Sequence, residues 1–228
     1  MSDTRLGPIA ELRKLIARAR ARGMVDIVRL SSDRLVENLS SSETLIIFVR
    51  PAAGERRPVE GAALRRAGEG DADRYERDIG TDATETFARR LSETTRCYVV
   101  EAEGRFLHAS WIATRAAWTR ELRAYFRPPP VDAYVFESFT RSDARGRGIY
   151  PFALREICHE LSTEGFARVW VAVEVDNPSS LRAVAKAGFE ESWRITYRRR
   201  LGILTVGPPA GEGARADDHE WITPRADG

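Results

Sequence analysis

Apolar and polar positions alternate with two different periods along this chain, and the places where the period changes mark its elements. Residues 9–22 place Ile9, Leu12, Ile16 and Ala19 on one stripe, with Arg13, Lys14, Arg18, Arg20 and Arg22 on the other faces. That is the pattern of an amphipathic helix, and Gly23 supplies its end. Residues 25–30 and 44–49 are short apolar runs that read as strands, and together with the helix they form an N-terminal αββ piece. A Gly/Pro/Arg link over 52–59 follows. The next expected elements are a strand at 62–67, helices at 71–78 and 83–91 broken by Gly80, and strands at 96–102 and 106–114. Those two strands meet at Glu103-Gly104-Arg105, a hairpin signal. Residues 116–126 read as an aromatic-rich helix stopped by Pro128-Pro129-Pro130. A buried strand at 133–139, a helix at 152–161, a strand at 171–175 and one or two strands over 190–204 complete the ordered part. Residues 207–228, rich in Gly, Pro, Asp and Arg, read as a tail.

The most informative stretch lies between the strand at 133–139 and the helix at 152–161: Thr140-Arg141-Ser142-Asp143-Ala144-Arg145-Gly146-Arg147-Gly148-Ile149-Tyr150-Pro151. A strand, a basic glycine turn and a helix start in this order form an anion site. The glycines let backbone N–H groups approach a phosphate without a Cβ in the way. The helix start adds unpaired donors and the positive end of its dipole. Pro151 suits an early helical position, where its missing N–H is no loss. The spacing has no Walker lysine and is not the dinucleotide fingerprint. A second stretch, Asp176-Asn177-Pro178-Ser179-Ser180 through Lys186-Ala187-Gly188-Phe189, follows the strand at 171–175.

The two stretches together resemble the GNAT superfamily of acyl-CoA-dependent N-acetyltransferases. Arg145, Gly146, Arg147, Gly148 and Ile149 match its first motif; Asn177, Ser180, Lys186, Gly188 and Phe189 match its second. The resemblance covers roughly residues 60–202. It implies an α/β (α+β) fold, with a mixed, mostly antiparallel central sheet flanked by helices. The domain reading is an αββ extension over 1–59, the acetyltransferase domain over 60–206 and a tail over 207–228. It also implies acetyl-CoA as co-substrate and direct acetyl transfer to an amine of a small acceptor such as an amino sugar, an antibiotic or another metabolite. The alternatives on the same fold are a non-catalytic acyl-CoA binder, transfer of a larger acyl group, or a protein amine as acceptor.

By that resemblance, the cofactor-binding residues are Phe139, Thr140, Arg145, Gly146, Arg147, Gly148, Ile149, Tyr150, Asn177 and Ser180. The substrate-binding candidates are Tyr75, His108 and Trp111, with Asp78, Asp82 and Phe87 beside Tyr75. His108 and Trp111 fall on opposite faces of their strand by period two. Glu137 is an acid inside an otherwise apolar strand. Burial raises the pKa of a carboxyl, so Glu137 is the candidate general base, with Tyr134 as the alternative base or a substrate-orienting group. Two positions depart from the family. Tyr150 stands where a glycine or alanine is usual, and its ring is expected over the diphosphate or against the N-terminal piece. Val184 stands where many members carry the tyrosine that protonates the leaving thiolate.

Composition narrows the reading further. The net charge is +2, and only Lys14 and Lys186 are lysine, so no polyelectrolyte field favours nucleic acid. Cys97 and Cys158 have neither metal nor disulfide-framework spacing and read as buried free thiols. His108, His159 and His219 are scattered, so no metal site is expected. No apolar run approaches a membrane span, and no signal-peptide pattern opens the chain. A cytoplasmic protein is expected. A homodimer through the N-terminal piece or the aromatic insert is the partner arrangement left open.

Overall fold

A computed structural model describes residues 40–54, 56–200, 203–211, 213 and 220–222. The expected helix at 9–22 and strand at 25–30 lie outside these residues. Eight strands form one sheet in the order β10-β9-β1-β8-β7-β4-β3-β2. They are β1 (Ser40–Pro51), β2 (Ala63–Ala67), β3 (Thr95–Ala102), β4 (Arg105–Ala113), β7 (Asp132–Thr140), β8 (Arg168–Glu174), β9 (Glu190–Arg200) and β10 (Ile203–Val206). Every pairing in this sheet is antiparallel except β7 with β8. The mixed, mostly antiparallel sheet flanked by helices is the architecture expected from the sequence.

The residues at 44–49 fall in β1, and β1 runs inside the sheet between β8 and β9. The pattern explains the position. Leu45 and Ile47 pack to one face, Ile46 and Phe48 to the other, so the run is covered on both sides as a central strand must be. The central sheet is thus assembled from residues on both sides of Glu60.

Helices α3 (Ile149–Thr163) and α4 (Pro178–Lys186) cover one face. Leu154, Ile157, Cys158 and Leu161 of α3 and Val184 of α4 meet Ile46, Ile112, Val135 and Val171 there. Val184 is fully buried in this core. On the other face, α1 (Ala72–Asp78) and α2 (Thr84–Arg90) pack Tyr75 and Phe87 onto β3 and β4. Beside them lies a small three-stranded sheet.

That small sheet corrects the helix expected over 116–126. The segment is instead a hairpin of β5 (Ala117–Thr119) and β6 (Ala124–Arg127). Burial alternates along it, with Ala124 and Phe126 inward and Tyr125 and Arg127 outward, a period of two rather than 3.6. Arg123 takes a positive φ of 49° at the turn without being glycine, so the usual hairpin signal is missing from the sequence. The third strand, β11 (Glu220–Ile222), comes from the stretch read as a tail and pairs with β6. Cys97 and Cys158 are buried free thiols.

Candidate active site

The central gap follows from strand pairing. β7 and β8 pair in parallel only from Asp132/Arg168 to Val135/Val171. Both strands continue, β7 to Thr140 along β4 and β8 to Glu174 along β1, but they no longer pair with each other. The strands diverge, and two cavities of about 410 and 450 Å³ open at the divergence. They share Ser138, Phe139, Tyr150, Asn177 and Ser180.

The larger cavity holds the glycine turn. It is lined by Thr140, Arg145, Gly146, Gly148, Ile149, Ser179, Arg182 and Lys186 as well as the shared residues. Gly146 and Gly148 have φ of 77° and 75°, and Gly148 is the N-cap of α3. Only glycine takes this left-handed conformation freely. The first bond of the helix runs from the Phe152 N–H to the Gly148 carbonyl at 3.1 Å, so the amides of Ile149 and Tyr150 precede the ladder. Pro151 contributes no donor among them. The Arg145 Nε donates to the Thr140 carbonyl at 3.2 Å, which closes the turn onto the end of β7. Arg147 is exposed and does not line the cavity, unlike the other residues of the motif. Asn177 caps α4: its side-chain oxygen accepts from the Ser180 N–H at 3.1 Å and the Ser179 hydroxyl at 2.9 Å.

The smaller cavity is built over the opposite face. A β-bulge is its organising feature. Trp111 of β4 pairs with Glu137 of β7, but the next residue, Ile112, pairs with Val135. Phe136 is the extra residue. In a regular strand, Tyr134 and Glu137 would face opposite sides; the inserted residue brings both onto the cavity face.

Glu137 is not the buried acid the apolar run suggested. Its side chain is 54% exposed and pairs with Arg90 at 2.8 Å. The same guanidinium pairs with Asp82 at 2.5 Å and lies 4.0 Å from the Trp111 ring centroid. The bulge turns Glu137 out of the packed layer toward solvent. Tyr134 is buried, which raises its phenol pKa. Tyr75 and Trp111 both line this cavity and are tied together, the indole N–H donating to the Tyr75 hydroxyl at 2.9 Å. The Tyr75 hydroxyl lies 2.6 Å from Thr81 Oγ1. Asp82 lines the cavity as well, whereas Asp78 accepts from the Phe106 N–H beneath it.

His108 lines neither cavity. It is fully buried on the face covered by α3, with Nδ1 2.7 Å from Thr140 Oγ1 and Nε2 2.8 Å from Ser110 Oγ. Desolvation lowers its pKa to about 3. The opposite-face relation to Trp111 holds, and it keeps His108 off the wall of the smaller cavity. The chain continues from Ser110 Oγ to Ser138 Oγ at 2.7 Å, at the junction of the cavities. Tyr150 also bonds Ser138 and stacks on His108, with ring centroids 5.2 Å apart. Its ring is therefore held at the junction of the two cavities, packed against the cluster that includes Ile46 and Phe48.

Among the charged residues of the smaller cavity, sequence reasoning did not single out Arg90, Arg120, Glu121 and Glu174. Glu174 lies at the open end of β8 and its pKa is raised to about 7, chiefly by burial, against a hydrogen bond from Tyr197. Only its position, an acid closing an apolar strand just before Asn177, was visible beforehand. Among the described residues, no group of three His, Cys, Asp or Glu side chains is placed to hold a metal, and no helix is long and apolar enough to cross a membrane.

A family model described as the acetyltransferase (GNAT) family matches residues 65–189, more than half of the chain. A solved structure shares the fold. A GCN5-related N-acetyltransferase from Sphaerobacter thermophilus aligns with a TM-score of 0.52 at 14% identity, over 79% of this chain and 58% of that one. A GNAT-family acetyltransferase from Novosphingobium aromaticivorans aligns with a TM-score of 0.49 at 20% identity, over 68% of this chain and 63% of that one. The chain thus spans less than two thirds of the length of either. No match was found among curated proteins.

Proposed function

The chain belongs to the GNAT acetyltransferase family, and from that premise we propose that it moves an acetyl group from acetyl-CoA directly to the amine of a small acceptor. The observation that carries this reading is the meeting of two chemically different cavities in the gap between β7 and β8. One presents a glycine turn and a helix start to an anion; the other presents carboxylates to a cation.

In this reading the diphosphate of acetyl-CoA sits on the amides of Gly146 to Tyr150, with Arg145 and Lys186 adding charge. The pantetheine arm follows Phe139 and Thr140 on one side, and Asn177 and Ser180 on the other. The thioester lies at the junction, where the edge of β7 that has left β8 polarises its carbonyl. The acceptor ammonium is drawn toward Asp82, Glu121, Glu137 and Glu174, which all line the smaller cavity. Tyr134, Tyr75 and Trp111 form its walls and orient the amine. Glu137, held by Arg90, supplies charge. A volume of about 410 Å³ suits a small molecule. Attack by the neutral amine and departure of the thiolate need no covalent enzyme intermediate, and orientation supplies most of the rate. Tyr150 stands at the junction with a phenol proton for the leaving sulfur, the task that buried Val184 cannot perform.

The test is thiol release from acetyl-CoA with a panel of small amines, amino sugars and peptides with free N-termini. Saturable, amine-dependent release with a small amine supports the reading. Coenzyme A binding with no release from any amine leaves a binding protein, and preference for peptides overturns the small acceptor.

A further inference from the structure

Three side chains beside the acceptor cavity form an arrangement that the acetyl-transfer reading has not used. β1 and β9 place Glu43 directly opposite Tyr197, and β1 and β8 place Leu45 opposite Glu174. Glu43, two residues from Leu45, shares its face, so the three side chains converge. The Tyr197 hydroxyl lies 2.5 Å from Glu43 Oε2 and 2.5 Å from Glu174 Oε1. Separations this short belong to hydrogen bonds with an ionised partner. A phenol has one proton, yet two carboxyl groups bond it. Both contacts are satisfied only when one carboxyl carries a proton of its own, so the trio has a place for one proton beyond that of the phenol.

We infer that Glu174 is the group that takes the proton from the acceptor ammonium, and that Tyr197 and Glu43 carry it away from the cavity. Glu174 lines the acceptor cavity; Glu43 and Tyr197 do not. The carboxylate of Glu174 accepts a proton from R–NH3+, leaving R–NH2. Glu174 passes a proton to the Tyr197 oxygen as the phenol passes its own to Glu43, which releases it to solvent. The amine nitrogen then bonds the acetyl carbon and the carbon–sulfur bond breaks. The second nitrogen proton balances the thiolate to give the amide and coenzyme A thiol. The sum is R–NH3+ plus acetyl-CoA going to amide, coenzyme A and one proton. Glu174 is the catalytic residue; Tyr197 and Glu43 are positioning residues.

The surroundings fit this assignment better than those of Glu137. Glu137 is committed to the Arg90 guanidinium. The charged neighbours of Glu174 are Glu121, Asp176 and Glu43, all acids that raise it after burial has done so. Glu43 is held the other way. Burial raises it, but hydrogen bonds with Tyr197 and Glu174 and the charge of Arg199 outweigh that and lower it. The proton gradient along the trio therefore starts with the more basic group in the cavity. Arg90 and Arg120 are the cations on the rest of the cavity wall.

This inference rests on the acetyl-transfer reading, and its test separates the two. With the best amine from the panel, kcat/KM of the wild-type protein is expected to rise with pH along one acid limb near pH 7. Glu174→Gln removes that limb and lowers kcat/KM by about 10²-fold, the scale of a general base, with coenzyme A affinity unchanged. Tyr197→Phe moves the limb to higher pH, because the bond favouring the Glu174 carboxylate is lost. Glu43→Gln moves it to lower pH, because a neighbouring anion is lost. A purely structural role would not shift the limb in opposite directions. An unchanged limb and rate in Glu174→Gln, or no movement in the other two variants, overturns the inference. If no amine reacts with the wild-type protein, the acetyl-transfer reading fails instead. The trio is then tested by 13C NMR of the glutamate carboxyls: a resonance titrating near neutrality, absent in Glu174→Gln and displaced oppositely by the other variants, supports it; its absence overturns it.

Discussion

Replacing Gly148 by alanine separates two roles of one residue. Gly148 has φ 75° and ψ 10° at the N-cap of α3, and a Cβ there would meet no protein atom within 4 Å. The cost is therefore conformational rather than steric. A side chain in the left-handed region costs about 1–2 kcal/mol, offset in part by the lower entropy of unfolded alanine, for a net loss of about 1 kcal/mol. For a chain of this size that lowers Tm by roughly 2–4 °C. Gly165, just beyond the other end of the same helix, is the control. Its φ is 90°, nothing lies within 4 Å of its Cβ position, and it lines neither cavity. Gly165→Ala should lose a similar Tm. Only Gly148→Ala should lose coenzyme A affinity, because relieving its strain turns the Gly148–Ile149 peptide and its N–H away from the diphosphate. A backbone donor to a charged group contributes about 1.5–3 kcal/mol, so the dissociation constant should rise roughly 10- to 150-fold. Titration calorimetry with coenzyme A, beside thermal melts of both variants, reads this directly. Equal affinities in the two variants would refute the turn as the diphosphate site.

The other predictions concern residues around that turn. His108 takes up a proton at about pH 3 when folded and at its ordinary 6.5 when unfolded. Between those values the unfolded chain binds more protons, so stability falls as pH drops, by up to about 1.4 kcal/mol per pH unit. Denaturant unfolding of His108→Gln across pH 6.5 to 3 should show a correspondingly flatter loss; the wild-type slope in this variant would contradict it. Asn177→Ala removes the cap of α4 and should cost about 1 kcal/mol in denaturant unfolding. Trp118 lines the acceptor cavity while 41% exposed, and it packs edge-on against Tyr125 with ring centroids 5.1 Å apart. Trp118→Ala should raise the acceptor KM about 2- to 10-fold without altering coenzyme A affinity, on the scale of one aromatic contact. A weakened coenzyme A interaction would place Trp118 elsewhere in the mechanism.

What the sequence revealed was what is local in the chain. The anion turn is written in consecutive residues, since Gly146 and Gly148 take the conformations that only glycine favours and Pro151 marks the helix start. The buried strands at β7 and β8 are continuous apolar runs. The Asn177 cap lies three residues from the amide it serves. What stayed hidden depends on register and on distant pairing. The bulge at Phe136 leaves no signal in composition, yet it decides where Glu137 points. The turn at Arg123 lacks glycine, so the β5–β6 hairpin looked helical. Glu43, Glu174 and Tyr197 are brought together only by the placement of β1 between β8 and β9, and nothing near any one of them in sequence names the other two.

A crystal structure of the complex measures directly where coenzyme A lies. The diphosphate is expected on the amides between Gly146 and Tyr150, with the pantetheine arm in the gap between β7 and β8 and the sulfur beside Ser138 and Tyr150. Coenzyme A bound outside that gap, with its diphosphate away from the turn, would contradict the account.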